Sequence, residues 1–257
     1  MNDSLYIAAT GMQAQQLSID TIANNLANVS TTGFKKGRVN FQELMHVSTD
    51  HDATGTAGIN SIRGIGISVD GVAKDFAPGA IAQTNSPLDV AINGNGFLEV
   101  TLADGSHAYS RGGTLQITKD SYLATISGHI LKPAIHVPAN TSSIVIGTDG
   151  KVSALTSAQA QPIEIGQLEL ANFNNPSALN TVGSGVFTPT EASGAPTYGK
   201  PGSQGLGTMA QGALENSNVS MVDEMVTLMI TQRAYELSSK IIQASDEMMS
   251  LTNNLRR

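Results

Sequence analysis

The 257-residue sequence has no cysteine and no tryptophan, and it is poor in aromatic (4%) and charged (14%) residues. Without cysteine there are no disulfides and no thiolate-ligated zinc. Fourteen Lys and Arg stand against 21 Asp and Glu, a formal charge of −7. The basic residues cluster only at Lys35, Lys36 and Arg38, so the basic stripe of a nucleic-acid binder is missing. No run approaches the ~20 apolar residues of a membrane helix, and membrane insertion is not expected. The opening MNDSLYIAATGM has neither a basic n-region nor an apolar h-region, so an ordinary cleaved signal peptide is not expected. The short supply of large core residues points to an extended, multi-segment architecture rather than one thick core.

Catalytic motifs are also missing. None of His46, His51, His107, His129 and His136 has the helical spacing of a zinc pair. His46 and His51 lie near Asp50 and Asp52 in a loose stretch, which reads as solvated loop. There is no G-x-S-x-G, Walker or Rossmann fingerprint, and Gly64-Ile-Gly66 reads as a strand turn. Asp70, Asp75, Asp89 and Glu99 could supply the carboxylate pair of a glycosidase only if folding brought two together. The sequence predicts no enzyme, no cofactor and no metal site.

What is present is periodicity. From about Ser4 to Val29, Leu5, Met12, Ile19 and Leu26 recur every seven residues, with Ile22 and Val29 three further on. This predicts a helix of roughly 39 Å with a heptad seam, capped by Asp3 or Ser4. At the other end Ser220-Met-Val-Asp223 is a capping-box-like start. Val226, Ile230, Ala234, Leu237, Ile241, Ala244, Met248, Leu251 and Leu255 then alternate steps of four and three. A second helix to about Asn254, roughly 50 Å long, follows. Glu236 and Lys240 are expected to pair, and Arg256 and Arg257 to complement its C-terminal dipole. Each helix needs a cover for its stripe, and the simplest cover is the other helix.

Between them the period falls to two. DVAINGNGFLEVTL from Asp89 reads as strand, Asn-Gly turn, strand. Runs at Thr114, Ser121, Ser143 and Ile163 follow, with hairpin signals at Asp104-Gly105 and Asp149-Gly150. Looser stretches, Val47–Gly64 and Glu191–Gly212, flank this region. The predicted fold class is α+β: long N- and C-terminal helices pairing in a coiled-coil-like arrangement, with an inserted all-β domain. The expected division is 1–33 plus 215–257 helical, 34–69 plus 200–214 extended linker, and 70–199 all-β.

Three blocks carry a resemblance: IANNLANVSTTGFKK from Ile22, the central SPLDVAINGNGFLEV with YSRGGTLQI, and NSNVSMVDEMVTLMITQRAYELSSKIIQASDEMM from Asn216. In order and nearly end to end, they resemble the bacterial flagellar axial family of rod and hook subunits. The block KPAIHVPANTSSIVIGTDGKV is most similar to the distal-rod branch, and the large proximal-rod subunit is the nearest rival. That branch carries a stiffening segment after the first helix, and here the corresponding Val47–Gly64 is divergent and short. The resemblance implies a self-assembling basal-body subunit, exported through the flagellar type III channel without a cleaved signal, that polymerises helically into a hollow torque-bearing shaft. Its implied partners are itself, other rod subunits and the hook, the surrounding rings and the export apparatus. A different class, an extracytoplasmic β-domain enzyme or carbohydrate binder with helical arms, would call for aromatic sugar platforms, against which the lack of Trp weighs.

In such tubes the terminal helices form the inner cylinder. The resemblance places subunit contacts at Leu5, Met12, Ile19, Ile22, Asn24, Asn25, Leu26, Val29 and Phe34, and at Val226, Ile230, Arg233, Tyr235, Leu237, Ile241, Met248 and Leu251. The apolar stripes are expected to bury within the subunit's own helix pair. The flank bearing Asn24, Asn25 and Asn28 is expected to meet other subunits, where amides can fix register.

Overall fold

A computed structural model describes residues 2–48, 61–156, 161–203 and 205–255. The stretch 49–60 with His51, the side chains of Asp3, Ser4, His46 and Leu255, and Arg256 and Arg257, on which some of the expectations fall, lie outside the described residues. Two helices bracket the chain, α1 (Asn2–Ala27) and α2 (Met221–Leu255), with a β-rich region between them. This is the expected α+β class. The strands after α1 are β1 (Gly37–Ser48), β2 (Ser61–Lys74), β3 (Ile81–Gln83), β4 (Asp89–Asn93), β5 (Phe97–Thr101) and β6 (His107–Ser110). There follow β7 (Gly112–Ile117), β8 (Leu123–Thr125), β9 (Ile130–Leu131), β10 (Thr141–Ile146), β11 (Lys151–Thr156) and β12 (Ile163–Gln167). The last six are β13 (Leu170–Asn172), β14 (Asn180–Gly183), β15 (Val186–Thr188), β16 (Thr197–Gly199), β17 (Thr208–Gln211) and β18 (Ala213–Glu215).

The chain divides into two compact units. The first, the helical unit, takes Met1–Ala27, Gly37–Ala73 and Ser220–Arg257; it holds α1, α2 and a two-stranded β1–β2 ribbon. In it α1 packs against both α2 and β1. The ribbon has no counterpart in the sequence reading, because β1 and β2 lack clean alternation and flank the loose stretch. On α2, the Ser220 hydroxyl accepts from the Asp223 amide at 3.5 Å, where a cap was expected. Glu236 is taken by Arg233 at 3.0 Å instead of Lys240, an (i, i+3) pair in place of the expected (i, i+4) one.

The second, the β unit, takes Asn28–Lys36 and Lys74–Val219. Its main antiparallel sheet runs β14-β15-β6-β5-β9-β8-β7-β4-β17, and β13 pairs with the Phe97 end of β5 and with β16. Smaller sheets are β10-β11-β12 and β18-β3. Leu98, Val100, Leu115 and Leu131 meet Ile144, Ile146, Val152 and Leu168 in the main core. A second core gathers Phe76, Phe97, Phe173, Phe187 and Tyr109 edge to face, with centroids 4.8–5.7 Å apart for Phe76–Phe97, Phe76–Phe187, Phe97–Phe173 and Tyr109–Phe173. Four of the six phenylalanines therefore concentrate in one cluster, which is how an aromatic-poor chain still builds an aromatic core.

Both Asp-Gly hairpins form: Thr101 pairs with His107 around Gly105, and Ile146 with Val152 around Gly150. The Asn-Gly turn joins strands that do not pair with each other, since β4 lies between β7 and β17 while β5 pairs with β6, β9 and β13. The reason is a close approach. Gly207 Cα lies 2.9 Å from where a Cβ of Gly94 would sit, and Gly94 (φ 113°) and Gly96 (φ 132°) carry the chain into a different part of the sheet. The loose Glu191–Gly212 stretch contains β16 and β17, and β17 completes the sheet beside β4 with Met209 opposite Ile92.

Candidate assembly interface

On α2 two seven-residue rhythms run two positions apart, about 200° around the helix. One is apolar: Val226, Ile230, Leu237, Ile241, Met248, Leu251. The other is Glu224, Leu228, Thr231, Ser238, Ile242, Ser245, Met249. The second turns inward. Glu224, Thr231 and Ser245 are buried, and Leu228, Ser238, Ile242 and Met249 are half-buried. The apolar set faces out, with Ile230 65%, Leu237 60% and Ile241 56% exposed. This corrects the expectation that the apolar stripe buries against α1 within the subunit. The physical reason lies in the inner face. It carries Thr231, Ser238 and Ser245 beside Leu228, Ile242 and Met249, and the Thr231 and Ser238 hydroxyls bond carbonyls of their own helix at 2.8 and 3.0 Å, so burial leaves those two satisfied.

On α1 the inward side carries Ala14, Ile22 and Asn25, all buried. Leu5, Met12, Ile19 and Leu26 are half-buried and Asn24 is exposed; Val29 is half-buried too, but it lies past the end of α1, in the β unit. Asn25 is 1% exposed. Its amide donates to the Gly37 carbonyl at 2.9 Å and to Glu224 Oε2 at 3.2 Å, while its oxygen accepts from the Gly37 amide at 2.8 Å. Asn25 therefore ties α1, α2 and the start of β1 together inside one subunit. That corrects its expected place on a surface shared with neighbours. Gly37 leaves room for this: a Cβ there would meet Val72 at 3.2 Å and Thr21 at 3.3 Å.

A mostly apolar groove of about 760 Å³ lies between α1 and the ribbon. Tyr6, Met12 and Leu17 form one wall, Leu44, Ile67 and Val69 the other, and Tyr235 of α2 closes an end. Gly66 lets the ribbon come this close, since a Cβ there would stand 2.6 Å from Thr10 Oγ1. Phe34, the last of the expected N-terminal contacts, belongs to the β unit, half-buried under the Lys74 ammonium at 4.7 Å. Arg233 and Tyr235 are exposed on α2.

The β unit holds a buried charge cluster that the sequence did not disclose. Lys35 Nζ lies 2.8 Å from Glu215 Oε1 and 2.8 Å from the Ala77 carbonyl. Arg111 donates from Nε to Glu215 Oε2 at 3.2 Å and from Nη1 to the Gly96 carbonyl at 2.8 Å. Burial pushes the Lys35 ammonium below the ordinary lysine range in spite of Glu215. Burial works to raise Glu215, yet Arg111, Lys35 and the Gly79 amide together hold it below the usual carboxylate range. Charge and hydropathy patterns carry no signal for such residues, because a lone lysine or glutamate reads as surface.

The four carboxylates named as catalytic candidates have separate settings. Asp70 and Asp75 are exposed, in different units. Asp89 accepts from the Thr84 hydroxyl at 2.6 Å. Glu99 is held by Lys132 and His107, both at 2.9 Å, beside a cleft of about 250 Å³ that includes Tyr198. Burial and bonds with Tyr109 and Glu99 push the Tyr198 phenol above its usual range, so it stays protonated. Among the described residues no group of three or more His, Asp or Glu is placed to hold a metal, and no helix is long and apolar enough to cross a membrane.

Three family models match the chain: flagella basal body rod protein over residues 5–35, flagellar hook protein FlgE/F/G D1 domain over 91–154, and flagellar basal body rod FlgEFG protein C-terminal over 210–255. The flagellar basal-body rod protein FlgG of Borreliella burgdorferi is 44% identical over 100% of both chains. FlgG of Bacillus subtilis is 35% identical over 99% of both chains, whereas the flagellar hook-basal body complex protein FlhP of the same organism is 30% identical over 98% of this chain and 99% of its own. Within one organism, then, the similarity is greater to FlgG.

Proposed function

This chain belongs to the flagellar basal-body rod protein family, and from that premise we propose how it assembles. It is a structural subunit of the bacterial flagellar rod, of the distal-rod type. Its work is mechanical: copies join head to tail into a hollow helical shaft that carries torque, with other rod subunits and the hook at its ends and the basal-body rings around it. It reaches that place through the flagellar export apparatus.

The observation that carries this reading is the outward apolar face of α2. A row of large aliphatic side chains along a 35-residue helix needs a cover, and α1 occupies the opposite face. The cover is the α1–ribbon groove of a second copy, lined by Met12, Leu17, Leu44 and Ile67. Stripe and groove are different surfaces of one unit, so the contact is heterologous and propagates instead of closing on a two-fold axis. Within the polymer the stripe packs in coiled-coil-like fashion, and exposed Asn24 and Arg233 set its register.

The absence of native cysteine makes a clean test possible. Copies carrying Ile241→Cys are mixed with copies carrying Leu17→Cys under oxidising conditions. A disulfide-linked heterodimer, with little homodimer of either kind, is expected. Linkage confined to Ile241→Cys homodimers would contradict the stripe-to-groove contact and indicate a symmetric one.

A further inference from the structure

The charge cluster of the β unit joins segments far apart in sequence. Glu215, at the end of the last strand, meets Lys35, 180 residues earlier, and Arg111, 104 residues earlier. The backbone follows the same plan. The Gly33 amide donates to the Glu215 carbonyl at 2.7 Å, the Asn216 amide to the Ala80 carbonyl at 2.9 Å, and the Asp75 amide to the Lys36 carbonyl at 2.8 Å. The Gly79 amide donates to Glu215 Oε1 at 2.9 Å. Asn218 accepts from the Lys36 amide at 2.8 Å and donates to the Asp75 carbonyl at 2.9 Å and the Ala77 carbonyl at 3.1 Å. The fit leaves no slack: a Cβ on Gly79 would fall 2.0 Å from the Asn216 carbonyl oxygen.

Two cations and one carboxylate are buried here, and the carboxylate comes from the part of the unit that is made last. Without residues 213–218, Lys35 and Arg111 would be two like charges without the one carboxylate that bonds both, with only the exposed Asp75 acting on Lys35 from a distance, which is unfavourable. β3 would also lack its partner β18. We propose that Lys35, Arg111 and Glu215 form a charge clasp that makes folding of the β unit conditional on both ends of its chain: the unit stays open until residues 213–218 arrive, then closes as one cooperative piece. A chain delivered N-terminus first is thereby kept from folding its β unit early. The device uses general electrostatics and stands independently of the assembly contact.

The test is native-state hydrogen exchange on the full chain. In the unaltered protein the clasp amides of Gly33, Gly79 and Asn216 are expected to share one opening equilibrium with the core amides of Leu115 and Leu168. Glu215→Gln is expected to speed exchange at all five together, by on the order of a hundredfold or more. Faster exchange at the three clasp amides alone, with Leu115 and Leu168 unchanged, would show a local brace and overturn the proposal. If Glu215→Gln does not fold, the triple replacement Lys35→Met, Arg111→Met, Glu215→Leu decides. It removes the enclosed charges and is expected to restore slow exchange, and its failure to do so would overturn the charge mechanism.

Discussion

Asn25 serves three partners with one amide group, and an amide is the only side chain of that size able to donate to a carbonyl and a carboxylate while accepting from a backbone N–H. Asn25→Ala is expected to cost ~1–3 kcal/mol of helical-unit stability, because buried groups of Gly37 and Glu224 lose their bonds. Asn25→Asp is expected to cost more, since it turns a donor into an acceptor facing Glu224. Thermal melts followed by helical ellipticity measure both, and an Asn25→Asp as stable as the unaltered protein would contradict the assigned bonds. Asn24, one residue away and exposed, belongs to the proposed contact between copies. Asn24→Leu is expected to lower filament yield or widen the spread of diameters without changing the melting of the β unit. For Glu215 the sign of the pH effect follows from its depressed pKa. Its contribution is fully present above the ordinary carboxylate value of 4.5 and is lost as pH falls through its own lower value. Near-UV circular dichroism of the tyrosines from neutral pH downward is therefore expected to show a loss of stability below about pH 4.5 that is blunted in Glu215→Gln.

At the scale of elements α2 is decisive, because its two rhythms make opposite demands. Ile241→Asp places a carboxylate on the outward face, where a single subunit tolerates it. In the proposed contact it would be buried unpaired at several kcal/mol, repeated in every copy. Normal helicity with failed assembly is expected. Ser245→Leu overfills the inward face and is expected to destabilise the helix pair by ~1–3 kcal/mol in the monomer. Equal effects of the two on monomer stability would contradict the assignment of faces. The same helix shows what was legible in the sequence. Its existence, length and start could be read from the four-three spacing, but which face turns inward could not. Hydropathy ranks Ile230 and Leu237 above Thr231 and Ser238, and that ranking picks the inner face correctly only when a chain folds alone. The strands carried comparable signals at Asp104-Gly105 and Asp149-Gly150, where local turn chemistry decides. They failed at Gly94, where a distant strand, Gly207 onward, decides. The clasp was illegible for the same reason: its partners are 104 and 180 residues apart.

For the whole molecule, the fold leaves the aliphatic row of α2 uncovered while Glu224, Thr231 and Ser245 of the same helix are enclosed. That inversion is unfavourable for a protein that stays single and natural for one completed by copies of itself. Electron microscopy of the purified full-length protein, concentrated beside its Ile241→Asp variant, tests this claim most directly. The unaltered protein is expected to form tubes or fibres of uniform diameter, and the variant only discrete particles of unchanged secondary structure. Tubes of normal yield and diameter from Ile241→Asp would contradict the account, because the outward face of α2 would then take no part in assembly.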